Sequence, residues 1–375
     1  MKVLEKILLT LVFIVLLPGC DRAVNLEDLS ITLVIGMDLD DESNITTYVV
    51  APVFSSNVKG STQVLESKAP TLRQARQNFD SMTAGMIVGG KIQVVLVGKR
   101  LLKKKNWFTL LDVFFRDSKL SLSARVVAVD GNVSDVVNLK SQDLPLLPLR
   151  LTSLIDTNEK RGQTVKTNLQ QLDIQMHDKG VTPYISSIRL DGNKITATGT
   201  VLLDKKGKMA TTLNPNETTL FYILMNSDRI NNGQASLFAR FQDVKKSGLF
   251  DTGLINMSIN QSRLRIKPGY RNEKFYFPAD ITLSMALKER LFPYDMKDNL
   301  RDFEQEIESS IRDQLEQLLE KFQKHHVDPI GLGRYARAYQ YEQWKKVQNN
   351  WGEAFSRADI PLNIDTTIKY IGPVK

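Results

Sequence analysis

One thiol stands where covalent chemistry is expected. Cys20 is the only cysteine among 375 residues, and it directly follows Leu17-Pro18-Gly19. A thiol is the best nucleophile among ordinary side chains for thioether formation with a diacylglyceryl donor. The small residue before it lets the chain lie extended in a peptidase. Leu at −3, Gly at −1 and Cys at +1 make the tetrapeptide resemble a lipobox, with Pro18 a less common filler at −2. Cleavage before Cys20 and acylation of its sulfur are therefore expected, and stable anchoring generally takes more than one lipid chain.

Other reactive residue types do not converge in the sequence. Of three histidines, His177 sits near a helix end, and His325-His326 sits where a long helix terminates. A protonated imidazole there would interact favourably with the negative helix end. Adjacent histidines on a helix point about 100° apart, which is poor geometry for sharing a metal. Gly-x-Ser-x-Gly, His-Glu-x-x-His and phosphate-cradling Gly-rich loops are absent. Gly331-Leu332-Gly333 is only Gly-x-Gly and reads as a helix stop and turn. The acidic run Asp38, Asp40, Asp41 and Glu42 lacks calcium-loop spacing and reads as a solvated hairpin tip. No catalytic residue, metal or cofactor is assigned, and the chain is not expected to be an enzyme.

The segment before Cys20 explains how the thiol would be presented. Lys2 and Lys6 form a positive start, and Ile7 to Leu17 is apolar except for Thr10. This fits a signal-peptide core of roughly 7–15 residues. Crossing ~30 Å of hydrocarbon takes ~20 helical residues, so the run is too short to span a bilayer. Residues 1–19 are read as a lipoprotein signal peptide, and the mature protein as sitting on the membrane without crossing it. The formal charge of +8 is modest and spread along the chain. Its densest run, Lys99-Arg100 with Lys103-Lys104-Lys105, reads as a solvated turn or as a contact for anionic headgroups. An exported protein meets no nucleic acid, so none is expected as a partner. After lipidation no free thiol would remain for a disulfide, which suits a Gram-positive exterior.

The pattern predicts an α+β protein of three domains, with mixed sheets and one long amphipathic C-terminal helix. The divisions fall at 20–142 (an N-terminal α+β domain), 143–225 (helices and a hairpin) and 226–375 (a C-terminal α+β domain with the long helix). Ile31 to Met37 and Thr46 to Val53 read as a hairpin. Thr71 is a candidate cap for a helix with Leu72, Ala75, Phe79 and Met82 on one face. Ile92 to Val97 and Ser121 to Val129 read as strands around a helix at Trp107 to Phe115. Helices are expected at Leu149 to Ile155, Thr164 to Asp178 and Asn216 to Met225, with a hairpin of Ile185 to Leu190 and Lys194 to Leu203. Strands follow at Leu254 to Ile259, Ser262 to Lys267, Phe275 to Phe277 and Ile281 to Leu287. The clearest helix runs from about Lys297 to His325, with Leu300, Phe303, Ile307, Ile311, Leu315, Leu318, Leu319 and Phe322 on one face. Asp295 or Asp298 is its expected cap. A helix at Tyr335 to Trp351 and a strand at Leu362 to Tyr370 close the chain.

Scattered motifs carry a resemblance along nearly the whole chain. They are Gly19-Cys20-Asp21, Leu26-Glu27-Asp28-Leu29, Ile35-Gly36-Met37-Asp38, Thr71-Leu72-Arg73-Gln74-Ala75 and Lys91-Ile92-Gln93-Val94-Val95-Leu96-Val97-Gly98. Gly199 to Met209 and Asp328-Pro329-Ile330-Gly331-Leu332-Gly333 continue the series. Their order and spacing resemble the Ger(x)C family, the C-subunit lipoproteins of bacterial spore germinant receptors. Asp21-Arg22 stands where family members often carry a Trp. The resemblance implies a three-domain α+β lipoprotein on the outer face of the spore inner membrane. It implies a non-enzymatic subunit needed for germination in response to nutrients, partnered with two integral-membrane subunits and held to membrane lipid by its acylated N-terminus. No catalytic residues carry over; only Cys20, with Leu17, Pro18 and Gly19 as its processing signal, transfers by position. The alternative is a solute-binding lipoprotein of a transport system. Direct binding of a small molecule is left open.

Overall fold

The computed structural model describes residues 29–53, 62–83, 85–139, 146–241, 253–292, 294 and 299–370. Leu17, Pro18, Gly19 and Cys20, with the rest of residues 1–28, lie outside the described residues. The strands in chain order are β1 Leu29–Ile31, β2 Val34–Leu39, β3 Ile45–Pro52, β4 Thr62–Lys68, β5 Met86–Val88, β6 Val94–Gly98, β7 Arg125–Val129 and β8 Tyr184–Asp191. They continue with β9 Lys194–Leu203, β10 Met209–Leu213, β11 Ser236–Arg240, β12 Leu254–Ile266, β13 Gly269–Arg271, β14 Lys274–Tyr276, β15 Ala279–Arg290 and β16 Leu362–Tyr370.

Eight strands form one sheet in the order β10-β9-β8-β7-β6-β2-β3-β4. Its centre, β2, β6, β7 and β8, is parallel, and antiparallel pairs extend it on both sides. β6 is Val-Val-Leu-Val-Gly and buried throughout, as a central parallel strand covered on both faces must be. One face packs Met37, Val95, Val97, Val126 and Ala128 against Trp107, Leu111, Phe114, Leu169 and Leu172. The other packs Val34, Val94, Leu96, Val127 and Val129 against Val133, Val136, Leu151 and Ile155. Strands from both the 20–142 and the 143–225 stretches lie in this sheet.

A four-stranded sheet, β11-β12-β15-β16, packs on the long helix Leu300–Lys324. Phe303, Ile307, Ile311, Leu315, Leu318, Leu319 and Phe322 are all buried, so the apolar stripe faces the sheet. The same helix closes both edges of that sheet. Ser310 Oγ accepts from the Arg240 amide at 3.1 Å, and Gln314 Nε2 donates to the Phe238 carbonyl at 3.0 Å, both on β11. Glu304 Oε1 accepts from the Ile368 amide at 2.8 Å, and Arg312 donates to the Leu362 carbonyl at 2.6 Å, both on β16. Edge groups that would otherwise template pairing are thereby occupied.

Several elements differ from the sequence reading, each for a local reason. Leu254–Ile259 and Ser262–Lys267 are one strand, with a register shift between Ile259 and Gln261 in place of a turn. The helix expected from Thr164 begins only at Leu169, where Asn168 and Gln171 form a reciprocal capping box. Trp107–Leu111 is a 3-10 turn that leads into the helix Asp112–Arg116. The helix expected over 335–351 is broken into Leu332–Tyr339, Tyr341–Val347 and Trp351–Ser356. The long helix starts after Asn299; Asp295 and Asp298 lie outside the described residues. Thr71 caps Leu72–Met82 by accepting from the Gln74 amide, yet Met82 ends on the exposed side.

Candidate functional site

Parallel strands bring their carboxyl ends to one edge of the sheet, where ligands of open α/β sheets commonly bind. Here that edge carries charge from all four strands: Asp38 on β2, Lys99 and Arg100 just after β6, Asp130 just after β7 and Arg189 on β8. Asp38 is buried, not at a solvated tip as its sequence neighbours imply. Its carboxylate accepts from the Leu39 amide at 2.8 Å and the Val133 amide at 3.0 Å, and Arg100 Nε stands 3.8 Å away. Burial raises this carboxyl above its ordinary range, opposed by the two amides and the guanidinium. Gly98 makes the close approach possible, because a Cβ there would lie 2.2 Å from Asp38 Oδ1. Asp40 and Asp41 do sit at the turn, Asp40 paired with Lys68 at 2.8 Å and Asp41 with Arg100 at 2.6 Å.

Asp130 bridges two cations, Lys99 at 2.6 Å and Arg189 at 3.1 Å. The Lys99 ammonium is the main cause that holds its carboxyl below the usual range. A cleft beside this triad is lined by Ser187, Thr198, Thr200 and Thr212 and contains no histidine. Each carboxylate of the edge is already matched to a cation or to backbone amides, so the arrangement rigidifies the strand ends and supplies no poised acid–base pair. Lys99 and Arg100, at the head of the basic run, are thus ion-paired, whereas Lys103, Lys104 and Lys105 are exposed.

The second polar centre is the segment Asp328 to Gly333. Asp328 is fully buried. Its Oδ1 accepts from the amides of Gly331 at 2.8 Å and Leu332 at 3.0 Å, and its Oδ2 accepts from the Gly333 amide and the Trp351 indole, both at 2.8 Å. Burial pushes this carboxyl up against the pull of all four donors. The loop is also fastened to the segment that leads into β8 of the eight-stranded sheet. The Thr182 amide donates to the Asp328 carbonyl at 2.8 Å, and Arg334 meets Asp178 at 2.7 Å. Gly180 and Gly333 touch backbone to backbone; a Cβ on Gly333 would lie 2.7 Å from Gly180 Cα and 2.8 Å from the Trp351 ring. Sequence reading found this motif but not its role as a joint, because Trp351 and Gly180 are distant in the chain.

His177 lies with Asp173, and His326 with Glu353. His325 caps the long helix, but burial and then Lys324 push its imidazole below the ordinary range, so the protonated form favoured by the helix end is opposed. Among the described residues no group of three or more His, Cys, Asp or Glu is placed to hold a metal, and no helix is long and apolar enough to cross a membrane.

Two family models cover most of the chain in sequence order. The spore germination protein N-terminal domain matches residues 22–190, and the spore germination B3/GerAC-like C-terminal domain matches residues 198–372. The chain belongs to the Ger(x)C family. The Ger(x)C boundary falls at the β8–β9 hairpin, so the C-terminal part lends β9 and β10 to a sheet begun by the N-terminal part. Among Ger(x)C relatives, spore germination protein YndF of Bacillus subtilis (strain 168) is 26% identical over 290 residues, covering 76% of this chain and 68% of its own. Spore germination protein B3 of the same organism is 23% identical over 388 residues, covering 100% of both. The crystal structure of the GerBC protein superposes with a TM-score of 0.59 at 18% identity, covering 89% of this chain and 96% of that one. It shares the α+β fold with several sheets described above.

Proposed function

We propose that this protein is a non-enzymatic subunit of a spore nutrient germinant receptor, lipid-anchored through Cys20 on the outer face of the spore inner membrane. Two integral-membrane subunits would be its partners. The observation that carries the reading is the ordered match to both spore germination domains, across residues 22–190 and 198–372. Relatives named as spore germination proteins, among them A3 and KC of Bacillus subtilis (strain 168), support it. The polar centres support it too, since both hold strand ends and loops in place. Processing at Leu17-Pro18-Gly19-Cys20 belongs to the same proposal and supplies the tether. A solute-binding lipoprotein needs two similar α/β lobes about a cleft; here a mixed eight-stranded sheet with a parallel centre stands beside a four-stranded sheet packed on one helix.

The test is genetic. Spores lacking the gene should lose the germination response to a particular nutrient, read as the fall in optical density, and regain it on complementation. An unchanged response to every nutrient tried, in a strain with no sister receptor, would refute the role.

A further inference from the structure

The start of the described chain presents an apolar face to the outside. β1 and β5 form a two-stranded parallel sheet with Leu29 opposite Met86, Ser30 opposite Ile87 and Ile31 opposite Val88. Paired residues share a face. The inner face, Ser30 and Ile87, is buried. The outer face is Leu29, Ile31, Met86 and Val88: four apolar side chains, three half-buried and Met86 59% exposed. A solvent-side face would ordinarily alternate the other way, with polar residues outward. A wholly apolar outward face of this kind, exposed at Met86 and partly exposed at its other three residues, marks a surface that meets something.

The free backbone edge of β5 is already occupied. Asp80 accepts from the Ile87 amide at 3.2 Å, and Arg76 donates to the Ile87 carbonyl at 3.0 Å. Strand addition by a protein partner is therefore blocked at Ile87, and the side-chain face is what remains to be covered. Its place in the chain indicates by what. At no more than ~3.6 Å per residue, the stretch from Cys20 to Leu29 reaches at most about 32 Å. An acylated Cys20 would hold the bilayer surface within that distance of β1, and Met86 lies directly beside Leu29. Lys91, shortly after β5, is exposed and would face headgroups rather than acyl chains.

We propose that the outer face of β1 and β5 seats on the lipid bilayer at the headgroup–acyl boundary and fixes the orientation of the protein on the membrane. This rests on the lipid anchor of the preceding section. Apolar side chains at that boundary bury only a few ångströms deep, so the face adds orientation to an attachment the acyl chains already supply.

The experiment uses the full lipidated chain alone, in vesicles of phosphatidylglycerol and phosphatidylethanolamine containing a nitroxide-labelled phosphatidylcholine. Met86→Cys and, separately, Phe238→Cys carry an environment-sensitive fluorophore; Phe238 is an exposed residue on β11 of the other sheet. With the Cys20 sulfur in a thioether, the new thiol is the labelling site. The probe at 86 should be quenched several-fold more by the nitroxide lipid than by aqueous iodide, and the probe at 238 the reverse. Protein that floats with the vesicles while iodide reaches residue 86 as readily as residue 238 overturns the seating face and leaves the anchor standing. Shielding of residue 86 only in native membranes that hold other receptor subunits assigns the face to a protein contact and also overturns it. Protein that fails to float overturns the anchor and the seating face together.

Discussion

Replacing Asp328 tests whether the joint between the C-terminal part and the eight-stranded sheet is as dependent on one carboxylate as its geometry implies. Asp328→Ala leaves three backbone amides and the Trp351 indole without their acceptor in a fully buried place. Each buried donor left unpaired costs about 1–3 kcal/mol. Water entering the vacated volume would satisfy some of them, so a loss of about 4 kcal/mol is expected, within the ~3–5 kcal/mol range for breaking a buried charged network. Total stabilities are about 5–15 kcal/mol, so the variant should retain only part of its folding free energy. Asp328→Asn keeps the shape but turns an amide toward two of the donors, and should cost about 2 kcal/mol. Trp351→Phe removes a single donor, keeps most of the ring, and should cost about 1 kcal/mol. The assay is urea unfolding of the full chain in mild detergent, followed by far-ultraviolet circular dichroism so that loss of a tryptophan does not bias the signal. The order Ala, then Asn, then Phe is the expected outcome. An Asp328→Ala variant within about 1 kcal/mol of the parent would refute the assignment of Asp328 as the organiser of this joint.

Two other substitutions probe the same structure. Gly333→Ala places a methyl against Gly180 Cα and the Trp351 ring, where backbone cannot yield, and should cost at least about 1–3 kcal/mol in the same unfolding measurement. At the sheet edge, Lys99 holds the Asp130 carboxyl below its ordinary value of 3.8. A carboxylate lowered on folding contributes stability above its unfolded pKa and loses it as pH falls through the lower folded one. Asp130→Asn should therefore be less stable than the parent at neutral pH, with the gap closing as pH drops below about 4; a gap that stays constant with pH would contradict the Lys99–Asp130–Arg189 bridge.

Much of the fold was legible because burial follows period. The stripe from Phe303 to Phe322 recurs at three- and four-residue steps, and the helix it predicts is present with that face buried. Ile92 to Val97, nearly continuous in apolar and β-branched residues, reads as a strand, and Val94–Gly98 is one, buried throughout. What escaped reading depends on partners far along the chain. Asp38 lies in an acidic run that looks solvated, and only the Gly98 gap and the Val133 amide bring it inside. Asn260-Gln261 resembles a turn, but β12 absorbs it as a register shift because β15 continues alongside. Parallel pairing of β15 with β16 joins segments separated by the long helix, so no local pattern announces it. Asp130 carries no motif at all; its role exists only once β6, β7 and β8 lie side by side. The proposed lipidation of Cys20 is the opposite case, because its signal is confined to the neighbouring residues Leu17, Pro18 and Gly19.

The most direct measurement is fatty-acid labelling during sporulation, comparing the parent chain with Cys20→Ala. The expected result is label on the parent protein in the spore membrane fraction, and an unlabelled variant that no longer responds to its nutrient. Label that persists in Cys20→Ala, or a parent protein that washes from membranes without label, would contradict a receptor subunit held to the bilayer by this residue.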